Sequence, residues 1–250
     1  MKNKILPIVK KFLRRLIYNS RFLKLARAFH YHTLSRKPLI IENNDKCLLL
    51  TPHPDDEIFG CGGTLFKHAK NFDIICLTDG RLAGQNRTFE ETISIRKKEF
   101  EQCMKMLKIA SYTLLNIEDK KLIDNYQIFK SINIENYDYI FIPNYFDQHI
   151  DHKAVTTLLQ KSIASQNPKN NLQIAFYEVW AALSYPNYFI DISDVIEKKK
   201  ELITIYSSQT RNFNFIDAII SLNRYRGVLS DVQYAEFFSV IDLNTFMRLQ

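Results

Sequence analysis

The stretch Cys47-Leu48-Leu49-Leu50-Thr51-Pro52-His53-Pro54-Asp55-Asp56-Glu57 decides how this chain is read. Its first five residues form a short uncharged, mainly apolar run, as expected for a strand buried on both faces of a parallel sheet, and Pro52 ends it. One imidazole and three carboxylates follow within five residues. In an open α/β sheet, that place after a strand is the carboxyl edge, where ligands bind. Carboxylates crowded together repel one another unless a cation or positive partner sits among them, so the cluster calls for a metal.

Working outward, Gly60, Gly62 and Gly63 lead into a predicted helix from Thr64 to Lys70, and Phe72 to Leu77 makes a second buried run; together these form a βαβ unit. A helix from about Glu90 to Leu107 follows, with Ile93, Phe100, Met104 and Leu107 on one stripe. Runs at 111–115, 137–143 and 173–180 read as further strands, with helices at 151–165 and, Lys-rich, at 194–206. This alternation predicts an α/β fold with an open sheet and right-handed crossovers. Past Trp180 the pattern weakens.

A second cluster, His149-Ile150-Asp151-His152, lies just beyond the run ending at Pro143. Three protein ligands of His and Asp type, with one position left for water, is the composition of a catalytic zinc site. Each cluster alone has a plainer reading: a lone histidine is commonly structural, and an Asp pair after a strand commonly caps a helix. What joins them is topology, since both follow separate strands of one predicted sheet. His68 reads as a helix-surface residue, and His30 and His32 belong to the basic N-terminal segment.

These two motifs, P-H-P-D-D-E at Pro52 to Glu57 and H-x-D-H at His149 to His152, resemble those of the PIG-L or LmbE-like family of zinc-dependent N-acetylglucosaminyl deacetylases. Weaker echoes extend the resemblance over roughly 46–240: Arg96-x-x-Glu99, Tyr177 to Trp180, Lys199, Tyr206-x-Ser208-Gln209 and Tyr234-Ala235-Glu236. Arg81 and Lys108 depart from the family pattern, which has an acidic residue and a glycine there. The resemblance implies a Rossmann-like, mostly parallel sheet with helices on both faces. It also implies that His53, Asp56 and His152 hold Zn²⁺, or another divalent metal such as Fe²⁺, while Asp55 acts as general base and His149 stabilises the oxyanion and protonates the leaving amine. Arg96 and Glu57 are the expected substrate-binding residues. For Arg96 an i,i+3 pair with Glu99 is the alternative, and for Glu57 a role orienting a ligand from behind.

Charge divides the chain. Eleven of the 34 Lys and Arg fall in residues 1–40, which hold no Asp or Glu, leaving 23 basic against 27 acidic residues in the remainder. Within that leader, Ile5, Ile8, Val9, Phe12, Leu13, Leu16 and Ile17 recur at helical spacing among cations, which predicts a basic amphipathic helix. No apolar run approaches the roughly 20 residues of a membrane span. The reading therefore has a leader at 1–42 and a deacetylase domain at 43–250, with an anionic membrane surface as partner of residues 1–40. A transit peptide, or a helix packed on its own domain, is the alternative for the leader. Localisation is expected to be cytoplasmic, peripheral on the inner face of the membrane, and the substrate an N-acetylated sugar conjugate, lipid-linked or belonging to cell-surface glycan synthesis. Nucleic acid is not expected, since the body supplies no second basic patch or binding module. Four cysteines without CxxC spacing read as buried thiols rather than a disulfide framework. The rival functions are a metal-dependent phosphoesterase and a non-catalytic sugar-binding or membrane scaffold of the same fold.

Overall fold

The computed structural model describes residues 36–84, 86–211 and 214–249. Its centre is one eight-stranded sheet: β1 (Lys37–Pro38), β2 (Cys47–Thr51), β3 (Phe72–Thr78), β4 (Ser111–Ile117), β5 (Tyr139–Pro143), β6 (Gln173–Tyr177), β7 (Tyr188–Asp191) and β8 (Ala235–Asp242), in the order β1-β7-β8-β6-β5-β2-β3-β4. Every pairing is parallel except those of β8, which runs antiparallel to both β6 and β7. The chain leaves β2 towards β3 and β4, then returns to lay β5 on the other side of β2. That reversal is a topological switch point, and the two motifs follow the two strands that flank it.

Alternation along β2 supplies both cores. Cys47 and Leu49 pack into one apolar cluster, with Phe100 and Met104 of α2 (Phe89–Leu107) and Leu202 and Ile203 of α5 (Ile196–Ile205). Leu48 and Leu50 pack into the other, with Phe129 of α3 (Tyr126–Lys130) and Val155 and Leu158 of α4 (Ile150–Ile163). All four cysteines are buried and unpaired.

The first helix departs from the sequence expectation. α1 spans Asp56–His68, so the three glycines lie inside it rather than before it. They are there for close approach: a Cβ on Gly60 would stand 2.4 Å from Tyr177 Cδ2, and one on Gly63 2.6 Å from Ile192 Cγ2. Residues 37–41, assigned to the leader by sequence, join the domain, since β1 pairs with β7 and Leu39 and Ile41 are buried. The expected amphipathic helix lies outside the described residues. The weakly patterned C-terminal part supplies β7, β8, the short α6 (Ser207–Thr210), α7 (Phe215–Val228) and α8 (Leu243–Met247). Lys108 closes α2 with φ 58°, the left-handed cap position that glycine otherwise favours.

Candidate active site

β2 ends in a tight turn that delivers His53 and Asp55 and starts α1 at Asp56. Asp55 has φ 147°, a conformation that costs a non-glycine residue of order 1–3 kcal/mol and is held by its surroundings. Its N–H donates to Glu57 Oε2 at 3.0 Å. β5 delivers the second motif: His149 caps α4, its Nδ1 accepting the Asp151 N–H at 3.2 Å, which turns His152 inward one turn later.

Three donor atoms converge where the two motifs meet. Asp56 Oδ2 lies 3.1 Å from His53 Nδ1 and 3.1 Å from His152 Nε2, and the two nitrogens are 3.3 Å apart. A tetrahedral site with bonds of 2.0–2.1 Å has ligand-to-ligand edges of about 3.3 Å, so this set fits a metal. The opposite ring nitrogens are held by carboxylates. His152 Nδ1 lies 3.0 Å from Asp147 Oδ2, and His53 Nε2 lies 3.3 Å from Asp151 Oδ2 and 3.4 Å from Asp119 Oδ1. Carboxylates behind the imidazoles are the usual outer support of metal-binding histidines. His53, Asp119, His149 and Asp151 form a further group of suitable donors, but it shares His53 with the first.

Burial sets the charges. For Asp55 it is the largest influence and pushes the carboxyl up to about 7, with Arg96, 3.0 Å from Oδ2, opposing it. Burial acts on Asp56 in the same direction, yet His152 and His53 outweigh it and hold that carboxyl well below the usual range. Burial lowers His152 less than Asp56 and Asp147 raise it, to about 9. His149 goes the other way, lowered by burial and by the two other histidines, so it is neutral near pH 7. Because its Nδ1 accepts an amide, the remaining ring proton sits on Nε2.

These side chains floor a pocket of about 270 Å³, with Leu82, Lys120, Trp180 and Gln209 around them. His53, Asp55, Asp56, His149 and Arg96 line it, and His152 lies directly beneath. Glu57 does not reach it. That carboxyl is fully buried, accepting from Asp55 N–H and from Tyr206 O–H, so the expected contact of Glu57 with substrate is replaced by support of the Asp55 turn from behind. Burial raises it to about 8. Arg96 donates to Pro54 O at 2.7 Å as well as pairing with Asp55, and Glu99 instead receives Ser208, so the i,i+3 alternative is not formed. Arg81 folds back onto Asp79 at the rim. Sequence reasoning gave no role to Asp147, Asp119 or Tyr206; the available signals were the place of Asp147, two residues ahead of His149 in the loop after β5, and that of Tyr206 in one of the weaker echoes.

Of the weaker echoes, Arg96, Trp180 and Gln209 line the pocket, and Lys199 and Glu236 belong to the scaffold. Lys199 and Glu236, both fully buried, pair at 2.6 Å, and Glu236 also accepts the N–H groups of Gly63 and Thr64, which fixes α1 against the sheet.

Residues 48–163, which contain both motifs, match the family model PIG-L: GlcNAc-PI de-N-acetylase. The chain carries a PIG-L family domain. It is 26% identical over 195 residues to diacetylchitobiose deacetylase of Thermococcus kodakarensis, covering 66% of this chain and 70% of that protein. It is likewise 26% identical over 220 residues to a Bacillus anthracis protein named "Probable N-acetyl-alpha-D-glucosaminyl L-malate deacetylase 2", covering 78% and 94%. The chain is also similar in structure to the inhibitor-bound N,N'-diacetylchitobiose deacetylase of Pyrococcus horikoshii, with a TM-score of 0.69 at 26% identity, covering 79% of this chain and 84% of that one.

Proposed function

We propose that this protein hydrolyses the N-acetyl group of an N-acetylglucosamine-type sugar conjugate, with zinc as its metal. The observation that carries the reading is the convergence of His53 Nδ1, Asp56 Oδ2 and His152 Nε2 at tetrahedral spacing, beside a carboxylate and a neutral imidazole that face the same pocket. The names of its relatives support the amide and the sugar.

A divalent metal held by those three atoms would acidify water and draw charge from the acyl oxygen. Asp55, half ionised near neutral pH and ionised above it, takes the proton of the attacking water. His149 lines the pocket, and its Nε2–H donates to the oxygen as it gains charge; a group of this kind is typically worth about 2.7–4 kcal/mol of barrier. It has only a hydrogen bond to give in its neutral form, so the proton that reaches the leaving amine comes from Asp55. Arg96 keeps Asp55 aimed and, lining the pocket, meets the sugar.

Two arguments weigh against the rivals. A phosphoesterase needs paired metals about 3.5–4 Å apart, and among the described residues the second donor group reuses His53. A scaffold protein has no need of Asp55 in a costly backbone conformation. For the basic residues 1–40 we retain attachment to an anionic membrane surface as the reading. No helix among the described residues is long and apolar enough to cross a membrane.

The test is acetate release from N-acetylglucosaminyl conjugates, with metal content measured before and after chelation. Activity lost with the metal and restored by zinc is expected. Full activity in metal-free protein would refute the mechanism, and cleavage of other amides without any acetate from these sugars would refute the substrate. Co-sedimentation of the full chain with anionic vesicles checks the leader.

A further inference from the structure

Beside the catalytic pocket lies a second, more enclosed crevice of about 170 Å³ between the start of α1, the loop after β6 and α7. Its walls are Phe59, Val179, Trp180, Phe215, Ile219 and Leu222. Trp180 borders both spaces: it lines the catalytic pocket on one side and meets Phe215 edge-on at 5.2 Å and Phe59 at 6.5 Å on the other. It is half exposed, and burying so large a ring is favourable when a ligand supplies the cover.

The floor is polar. Glu178 is bound to Arg226 and the Leu183 N–H, and Glu236 to Lys199 and α1. Asn223 is different: it is 4% exposed, its Nδ2 donates to Ala235 O, and its Oδ1 receives no hydrogen bond. Asn223 thus lines the crevice with its unsatisfied acceptor closed off behind that lining, at a cost of about 1–3 kcal/mol. Apolar walls over a polar floor are the usual make-up of a small-molecule site.

We propose that this crevice is an accessory subsite for an apolar aglycone of the amino-sugar substrate, reached past Trp180 and seated against its ring and those of Phe59 and Phe215. This rests on the deacetylase reading and adds the class of conjugate: sugar in the catalytic pocket, an alkyl-like group in the crevice. The sugar and the aglycone share Trp180 as a common wall, so neither needs a separate entrance.

The experiment uses the full-length, zinc-loaded protein and a series of alkyl N-acetyl-β-D-glucosaminides from methyl to octyl, below their micelle concentrations. The chain has one tryptophan, so its emission reports Trp180 directly. Binding should shift that emission to shorter wavelength, and both the dissociation constant and the KM for acetate release should fall about three- to fourfold for each methylene seated. Ile219→Phe, which narrows the crevice, should flatten the series. A KM and an emission that do not depend on chain length overturn the subsite, and acetate released equally from all members would leave the deacetylase reading standing. The converse is separable: the matching free-amine glycosides shift Trp180 by the crevice alone, so chain-length-dependent emission without acetate release from any member supports the crevice and refutes the reaction.

Discussion

Replacing Arg96 with Gln tests whether the guanidinium sets the proton affinity of Asp55. Burial drives that carboxyl upward, and Arg96, 3.0 Å away, is the largest influence opposing it, leaving Asp55 at about 7. Removing one partner of a buried ion pair costs about 3–5 kcal/mol, and one pH unit corresponds to about 1.4 kcal/mol, which bounds the shift at roughly 2–4 units. Water entering the vacated space reduces this, so the expected rise is about 1–2 units. Asp55 works in its ionised form, so the acid limb of kcat/KM should move to higher pH by that amount. At pH 7 the variant should be roughly 5- to 50-fold slower, with much of the loss recovered by pH 9. A cation in the site lowers both profiles together and leaves their difference. The assay is acetate release between pH 5.5 and 9.5, with metal content measured on the same samples. An unmoved midpoint with a uniform loss at every pH would refute the reasoning and assign Arg96 to the substrate alone.

Asp147→Asn should weaken metal binding by about 10- to 100-fold by removing the carboxylate behind His152, measured by competition with a chelator; unchanged affinity would contradict that support. Glu57 has a folded pKa raised by burial to about 8, so folding takes up a proton between its ordinary value and 8. Its contribution to the stability of the metal-free protein is therefore full at low pH and declines between about pH 4.5 and 8, by up to about 5 kcal/mol, and Glu57→Gln should make that decline less steep in urea unfolding. Gly60→Ala should lower stability by about 1–3 kcal/mol, read as a fall in Tm, because its Cβ meets the Tyr177 ring.

The strand at 47–51 was legible to the residue, because a run buried on both faces has no polar alternation to blur its ends. The two clusters were legible together through their placement after two strands, the choice of His53, Asp56 and His152 within them came from the family resemblance, and the structure brings those donor atoms together. Glu57 was misread because a carboxylate beside two site carboxylates looks like a third; only the fold shows Tyr206, 149 positions away, lying against it. Asp119 carried no local signal, and Tyr206 stood out only within a weaker echo of the family that did not reveal its partner, since the partners of both come from other elements. The start of α1 was set too late because glycine counts as a poor helix former, whereas here its lack of a side chain lets the helix lie against Tyr177 and Ile192. β8 was hard to see because a strand inserted antiparallel among parallel neighbours breaks the alternation that organises the rest.

The backbone of Asp55 sets function against stability at a single position. A φ of 147° is open to glycine and expensive for any other residue, so Asp55→Gly deletes the base and relieves the turn at once, while Asp55→Ala deletes the base and keeps the strain. The inactive glycine variant should therefore be the hardier of the two, and the gap between them measures what this fold gives up to hold its carboxylate over the pocket.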